Sequence, residues 1–195
     1  MKVEKLAPAV SKVNAENIIV DNLPKDINIL GLDSSLSRPG FCKLTFKDGS
    51  IIDVNTFVVD NKTKERVKKT RGEKLANIYR EGLKQMTFDN DLPTVYVREH
   101  AFISQRGQNE MAIFEAVGLE DWYLWITKNV EWIEAYPTSI KTLLTGNRKA
   151  DKNEVAAAVK QYIDHEFKYD DESDAAAVCL YFLIKNNMIK KAGDD

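Results

Sequence analysis

The chain has 195 residues, of which 44% are hydrophobic and 30% are charged, and its formal net charge is only -2. A chain of this length and composition can bury one sizeable core, which excludes a disordered polypeptide. The balanced charge excludes a uniformly basic nucleic-acid coat, so any polyanionic partner must bind a local basic patch. The longest apolar run, residues 175–184, is too short to span a bilayer, and we expect no membrane partner.

The cysteines and the N-terminus indicate the compartment. Cys42 and Cys179 lie among apolar neighbours without paired spacing, which predicts core thiols in a reducing compartment rather than disulfides or a zinc site. The first residues, MKVEKLAPAV, are mixed and charged and do not resemble an export signal. We therefore expect a cytoplasmic protein.

The first half of the chain predicts a segment, a strand and a hairpin. Residues 1–26 lack a clear amphipathic period and end in the turn-rich DNLPKD, so we interpret them as an appended segment before a domain of residues 27–195. INILGLD predicts a buried strand. Two β-rich runs, FCKLTF and IIDVNTFVV, flank an Asp-Gly pair, which predicts a hairpin of strands two and three.

The remaining elements alternate between helical and extended patterns. The next helix is predicted over KTRGEKLANIYREGLKQM, and a fourth strand over TVYVRE. A second helix follows and is interrupted near Gly118. It precedes a short fifth strand, VEWIEAY, which Pro137 closes. The three helices that follow are PTSIKTLLTG, DKNEVAAAVKQYIDHEF and ESDAAAVCLYFLIKNNM. This order predicts an α/β fold, a mixed five-stranded sheet flanked by helices.

Acidic residues lie at the ends of three predicted elements. Asp33 ends strand one, Glu99 ends strand four, and Asp171 and Asp174 share one face at the start of the last helix. Strand ends beside a helix N-terminus are where ligands gather in α/β sheets. Four converging carboxylates require a cation, and a hard divalent ion such as Mg²⁺ or Mn²⁺ prefers their oxygens. Two such ions about 3.5–4 Å apart can activate water and stabilise the leaving oxygen in phosphodiester cleavage.

Each acid also has an ordinary structural interpretation. A strand-terminal aspartate such as Asp33 commonly caps a turn, and Glu99 alone could be a solvated strand end. Acids in a first helical turn complement the helix dipole. His100 points to the strand face opposite Glu99, so we expect a structural role for it. The conjunction of acids at the appropriate ends of three separate elements favours the metal site.

Basic residues are concentrated in two stretches. One leads into the first helix, and the other is the loop that follows PTSIKTLLTG. Solvated loops are the alternative, but lysine and arginine side chains that neutralise phosphates would give sequence-independent affinity for DNA. The residues that we predict to bind DNA are Lys62, Lys64, Arg66, Lys68, Lys69, Arg71, Arg148 and Lys149.

Four motifs resemble the RuvC family of Holliday-junction resolvases, which have a ribonuclease H-like fold. They are GLD with Gly40 after it, VREHAF, PTSIKTLLTGNRKADKNEV and DESDAAAV, and together they extend from about residue 29 to residue 183. The resemblance implies that the four acids are catalytic metal ligands for two Mg²⁺ or Mn²⁺ ions. Asp170 and Glu172 flank Asp171, so this register stays open, and DESDA favours Asp171.

The resemblance also implies roles for residues outside the acids. Lys141 and Lys152 match basic residues near the scissile phosphate, and Phe102 matches an aromatic residue that contacts the opened junction centre. The implied function is a metal-dependent, structure-selective endonuclease that resolves Holliday junctions or other branched DNA by paired phosphodiester hydrolysis. DSSLSRPG replaces the Pro-Gly pair usual in bacterial members, which suggests a phage-type or divergent member in a bacterial or phage-infected cell.

Two other functions stay open at this point. One is a catalytically silent DNA-binding module on the same fold, and the other is a fragment of an actin-like ATPase. Paired cutting of a junction requires two active sites, so we expect a homodimer. The apolar helix from Met111 to Ile126, with Phe114, Trp122 and Trp125, is the predicted interface.

Overall fold

The computed structural model describes residues 19–62, 69–101 and 110–193. The elements in these residues form one five-stranded sheet with helices on both of its faces. The strands are β1 (Ile27–Asp33), β2 (Gly40–Lys47), β3 (Ser50–Val58), β4 (Thr94–Glu99) and β5 (Ile133–Ala135). The α-helices are α1 (Arg71–Asn77), α2 (Glu110–Lys128), α3 (Pro137–Thr145), α4 (Lys152–Val159) and α5 (Asp170–Lys185).

The sheet is mixed, and β1 lies at its centre. The strand order is β3-β2-β1-β4-β5, with antiparallel pairing from β1 to β3 and parallel pairing from β1 through β4 to β5. The predicted hairpin is present, and Asp48 and Gly49 at its turn have φ angles of 50° and 78°. Positive φ at both positions produces the twist that matches the flanking strands, and this explains the Asp-Gly pair.

Strand alternation divides the core into two layers. Ile27 and Ile29 of β1 face the layer formed by α3, α4 and α5. Leu30 and Leu32 face the other layer, which includes buried residues of α2 and of the segment after α1. Because side chains alternate along a strand, Asp33 shares the α5 side with Ile29, and Ser34 shares the α2 side with Leu32.

The observed helices differ from the predicted ones in several places. Helix α2 continues through Gly118, because the flanking Ala116 and Leu124 are anchored in the core and outweigh the low helix propensity of glycine. The helix predicted over residues 151–167 ends at Val159, and a turn over residues 160–162 leads to the buried Ile163. Helix α5 begins two residues earlier than predicted, at Asp170.

The described end of the N-terminal segment contacts the core, and the cysteines are core thiols as predicted. Val20 and Leu23 pack against the core, and the Val20 amide donates to Asn186 Oδ1 at 2.9 Å; the wider interpretation of residues 1–26 as an appendage stays a prediction. Cys42 and Cys179 are buried free thiols. Within the described ranges, no helix has the length and apolar character needed to cross a membrane.

Candidate active site

Two of the predicted acids meet at one edge of the sheet because their strands are parallel neighbours. Leu32 of β1 is paired with Arg98 of β4, so the next residues, Asp33 and Glu99, end the two strands side by side. Both side chains lie on the α5 side of the sheet, the side on which Val97 packs.

Helix α5 brings the other two acids to this edge because two glycines allow its close approach. A Cβ atom on Gly31 of β1 would overlap the carbonyl oxygen of Ala175 and the sulfur of Cys179. A Cβ atom on Gly40 of β2 would overlap the backbone carbonyl of Asp171. The first turn of α5 therefore lies directly against the end of β1, which explains the glycines of the first motif.

The geometry distinguishes the neighbouring acids of α5. The carboxylate of Glu172 is buried and accepts hydrogen bonds from the amides of Lys168 and Tyr169 at 2.6 and 3.2 Å, which caps the helix. Asp170 is exposed. Asp171 and Asp174 both act on the carboxyl of Asp33 and raise its pKa, so these two are the acids of α5 that face β1.

The acids raise one another's pKa values. Burial raises the pKa of Asp33 well above its usual range, and the nearby carboxylates of Glu99, Asp174 and Asp171 raise it further. Burial and Asp174 raise the pKa of Glu99 to about 7. Burial also raises the pKa of Asp174. Burial is the largest cause of each shift, and the nearby carboxylates add to it because like charges at close range disfavour ionisation.

Cations compensate part of this negative charge. Lys152 Nζ lies 3.2 Å from Asp174 Oδ2, and Arg38 Nε donates to Asp171 Oδ2 at 2.5 Å. The charges of Lys141 and Lys152 lower the pKa of Glu99, which places both lysines near the acids, and Lys141 Nζ donates to the carbonyl oxygen of Ala150 at 2.8 Å. Sequence reasoning missed Arg38, whose only signal is its place in the loop between the first acid and Gly40.

The carboxylate oxygens suit a hard divalent cation. Carboxylate oxygens are the donors that Mg²⁺ and Mn²⁺ prefer, and a cation would remove the repulsion that helps to raise the pKa values of Asp33 and Glu99. Among the described residues, no three side chains of aspartate, glutamate, histidine or cysteine lie close enough together, in their present positions, to hold a metal ion. Two of the four carboxylates form ion pairs, Asp171 with Arg38 and Asp174 with Lys152.

The first basic stretch begins beside the loop that carries Arg38. The amide of Asn61 donates to the carbonyl of Ser37 at 2.9 Å, so the next residue, the exposed Lys62, lies beside this loop. Lys69 Nζ reaches the carbonyl of Asp60 at 3.5 Å, and Arg71 pairs with Glu115 of α2 at 2.9 Å. The predicted DNA-binding residues Lys64, Arg66, Lys68 and Phe102 lie outside the described residues.

The second basic stretch lies in the turn between α3 and α4. Arg148 and Lys149 are exposed there, three to four residues before Lys152. Arg148 lines an open groove with two further cations, Lys185 and Lys191, and with hydroxyl groups of α3. The turn therefore carries two exposed cations close in sequence to Lys152, which pairs with Asp174.

The residues matched by a family model decide what kind of protein this is. Residues 29–182 match the model of the family described as crossover junction endodeoxyribonuclease RuvC. The chain belongs to the RuvC family. The predicted family and nuclease class are thus confirmed, and RuvC-family enzymes depend in general on divalent metal ions.

Relatives with the same description cover most of the chain. A crossover junction endodeoxyribonuclease RuvC of Ehrlichia ruminantium (strain Welgevonden) is 29% identical over 171 residues, which are 82% of this chain and 99% of that protein. The RuvC of Caldicellulosiruptor saccharolyticus is 25% identical over 174 residues, 87% of this chain and 99% of that protein. The match is therefore to whole RuvC proteins rather than to a fragment of them.

Solved structures confirm the predicted ribonuclease H-like fold. The RuvC of T. thermophilus in complex with a Holliday junction substrate aligns with a TM-score of 0.66 and 19% identity, over 83% of this chain and 96% of that one. The yeast mitochondrial Holliday junction resolvase Ydc2 aligns with a TM-score of 0.53 and 14% identity, over 89% and 86% of the two chains. At these identities the likeness concerns the fold.

Proposed function

We propose that this chain is a metal-dependent, structure-selective endonuclease that resolves Holliday junctions or other branched DNA by paired phosphodiester hydrolysis. The observation that carries the proposal is the convergence of Asp33, Glu99, Asp171 and Asp174 at one sheet edge in a chain of the RuvC family. Divalent cations held by these acids, two Mg²⁺ or Mn²⁺ ions per site, would activate a water and stabilise the leaving oxygen.

The chain's own residues support this chemistry in separate ways. The backbone of β1, β4 and α5 brings the four acids to one edge of the sheet, so only side chains need to move when a cation binds. Lys141 and Lys152 lie near Glu99 and are suited to bind the scissile phosphate, where fixed positive charge stabilises the charge that develops in the transition state. Arg38 adds a third positive charge beside Asp171.

The substrate class follows from the relatives and from the basic rim, by which we mean Lys62, Lys69, Arg148 and Lys149. RuvC of T. thermophilus was solved with a Holliday junction, so a four-way junction is the proposed substrate here. Lys62, Lys69, Arg148 and Lys149 would bind the phosphates of its arms without reading sequence. Phe102, at the opened junction centre, and the location in a bacterial or phage-infected cell stay predictions.

Cleavage of a panel of labelled DNAs tests the proposal. Four-way, three-way, flap and linear DNAs are incubated with Mg²⁺ and with Mn²⁺, and branched DNAs should be cut in preference to linear DNA. Asp33→Asn, Glu99→Gln and Asp174→Asn should each abolish cleavage and leave junction binding intact, because they remove an acid and retain the basic rim. Exposed Asp170→Asn is the matched control on α5 and should cut like the parent.

The same panel separates the alternatives. Junction binding without cleavage under any of these conditions would favour a catalytically silent module. Undiminished turnover in the three variants would contradict the site assignment. The family match over residues 29–182 favours the nuclease over a fragment of an actin-like ATPase.

A comparison of binding and turnover tests the roles of the basic residues. Lys141→Ala and Lys152→Ala should lower the single-turnover rate on the order of a hundredfold, because they remove fixed charge at the reacting phosphate. Lys62→Ala and Lys149→Ala should weaken junction binding and reduce its salt dependence, with little change in rate once DNA is saturating. Equal effects of both pairs on binding and on rate would contradict this division.

A further inference from the structure

A buried polar network lies behind the acids, on the α2 side of the sheet. Ser34 directly follows Asp33, and Arg98 directly precedes Glu99, so alternation turns both side chains away from the acids and toward α2. Arg98 is 5% exposed, and Glu120 of α2 is fully buried. Residues adjacent to both strand-end acids therefore contact the same buried groups.

Arg98 is the centre of this network. Its Nε and Nη2 atoms donate to Glu134 Oε1 of β5 at 3.0 and 2.6 Å. Its Nη1 atom lies 2.7 Å from Asp121 Oδ1 and 3.6 Å from Glu120 Oε2, both on α2. One guanidinium thus joins β4 to β5 and to α2, which the rigid fork of arginine permits and a lysine could not reproduce.

The network also includes the residues that follow Asp33 and Glu99 in the sequence. Ser34 Oγ donates to Glu120 Oε2 at 2.8 Å, which joins the end of β1 to the same helix. On the other side of Glu99, His100 Nδ1 lies 2.6 Å from Glu134 Oε2, and the imidazole packs on Tyr136 with ring centroids 4.7 Å apart. Both strand ends are therefore fixed by directional contacts in addition to apolar packing.

These contacts oppose a force that acts on the strand ends. When both are ionised, the carboxylates of Asp33 and Glu99 are partly buried neighbours of like charge, and their repulsion acts against the pairing of the ends of β1 and β4. The side chain of Asp33 is short, so its carboxylate follows the backbone closely, and the backbone of β4 sets the point from which the longer Glu99 side chain extends. Contacts on the α2 side of the sheet that fix this backbone therefore also fix the distance between the two carboxylates.

We propose that Ser34, Arg98 and Glu120 are positioning residues that hold Asp33 and Glu99 at the spacing needed to bind a divalent cation. None of the three touches the reacting atoms, and they act through the backbone of the two strand ends. The inference rests on the proposed function, since it assigns the positioning of the same site. Groups that orient metal ligands in this way commonly change metal affinity when they are replaced.

Titration of the full chain with Mn²⁺ by isothermal calorimetry tests the proposal. Ser34→Ala removes the hydroxyl that joins β1 to Glu120 and makes the smallest change to packing; we expect the Mn²⁺ affinity to fall about tenfold. Ser34→Thr keeps a hydroxyl and should bind Mn²⁺ like the parent. Thr127→Ala removes another α2-side hydroxyl, one that donates to the carbonyl of Tyr123, and should also bind like the parent.

A second pair of variants tests the centre of the network. Arg98→Lys keeps the charge but loses the fork, and Glu120→Gln keeps an acceptor for Ser34 but loses its charge. Both should weaken Mn²⁺ binding in protein that is folded by circular dichroism. In cleavage assays, the Mn²⁺ concentration at half-maximal rate should rise in Ser34→Ala, while the rate at saturating Mn²⁺ returns toward that of the parent.

The outcomes separate this inference from the proposed function. If Ser34→Ala, Arg98→Lys and Glu120→Gln bind Mn²⁺ like the parent, the network is structural and the inference is overturned, whatever the melting temperatures. If the parent and variants bind Mn²⁺ as expected but the parent cuts no DNA, the proposed function fails and the positioning role stands. A parent that binds no Mn²⁺ would overturn both.

Discussion

At the scale of single residues, the sheet edge holds more negative charge than its neighbours neutralise. Burial and mutual repulsion raise the pKa values of Asp33, Glu99 and Asp174, while Lys152 and Arg38 compensate part of the charge. Such an arrangement costs folding free energy in the absence of a cation. It is characteristic of a site whose residues were selected for chemistry rather than for stability.

The carboxyl of Glu99 leads to a predicted pH dependence of metal binding. Its pKa of about 7 means that the group holds a proton in weakly acidic solution, and this proton must leave before the carboxylate can bind a cation. The Mn²⁺ affinity of the parent should therefore rise as pH increases from about 6 to about 8, by up to roughly tenfold per pH unit below the pKa. Calorimetric titration across this range would measure it, and a flat profile would contradict the assignment of Glu99.

The same shift predicts how the metal-free protein responds to pH. A raised carboxyl pKa means that the folded state binds the proton more tightly than the unfolded state, so the stabilisation is present at low pH. It is lost as pH rises from the unfolded value through the folded value of about 7. Metal-free protein should melt at a lower temperature at pH 8 than at pH 6, and Glu99→Gln should reduce this difference. The two pH values are about one unit on either side of the Glu99 pKa.

At the scale of elements, the site depends on how closely α5 approaches β1 and β2. The helix brings two of the four acids, and Gly31 and Gly40 leave room for it on the sheet face, since a Cβ atom at either position would overlap its backbone. Apolar residues of α5 from Ala175 to Ile184 then anchor the helix in the core. A shift of its first turn would separate Asp171 and Asp174 from Asp33 while most of this core stayed packed.

Gly40→Ala tests this dependence. The added methyl group would overlap the backbone carbonyl of Asp171, which cannot rotate away as a side chain could. We expect the free energy of unfolding to fall by about 1–3 kcal/mol, and cleavage to fall in protein that is still folded. Gly118→Ala is the matched control: its Cβ would meet no atom within 4 Å, and it should stabilise α2 by about 1 kcal/mol. Full cleavage by Gly40→Ala would contradict the close-approach argument.

At the scale of the whole molecule, α2 presents apolar side chains to solvent. Tyr123 and Leu124 on its inner side are buried, whereas Trp122 and Trp125 are 55% and 54% exposed. Met111, Phe114 and Ile126 on the same helix are also exposed. Large exposed apolar surfaces of this kind commonly mark protein interfaces, so the homodimer remains our proposal for this face. A two-fold dimer would place two sites on a junction of approximate two-fold symmetry.

Charge reversal on this face tests the dimer. The double variant Trp122→Glu, Trp125→Glu should be monomeric by light scattering, because the same patch is used twice in a two-fold interface. It should release nicked junctions instead of two duplexes, since one site makes one cut. Ile52→Glu, at an exposed apolar residue of β3, is the matched control and should remain dimeric. A monomeric parent, free and junction-bound, or paired cuts by a folded double variant, would contradict the interface.

The sequence by itself determined the strands, their hairpin and the candidate acids. Period-two alternation, an Asp-Gly pair and acids at strand ends are local patterns, and local patterns are set by backbone geometry within a few residues. The same locality explains the errors. Whether a helix continues through Gly118 or ends at Val159 depends on what the flanking residues pack against, which no local pattern contains.

The tertiary structure alone decided which side chains meet at the site. Arg38 binds Asp171 across 133 residues of sequence, and Ser34 binds Glu120 across 86. The distinction among Asp170, Asp171 and Glu172 required the direction in which each leaves α5, since the three are adjacent in sequence and similar in charge. Contacts between distant residues depend on how whole elements pack together, and this packing is a property of the folded chain that no short stretch of sequence contains.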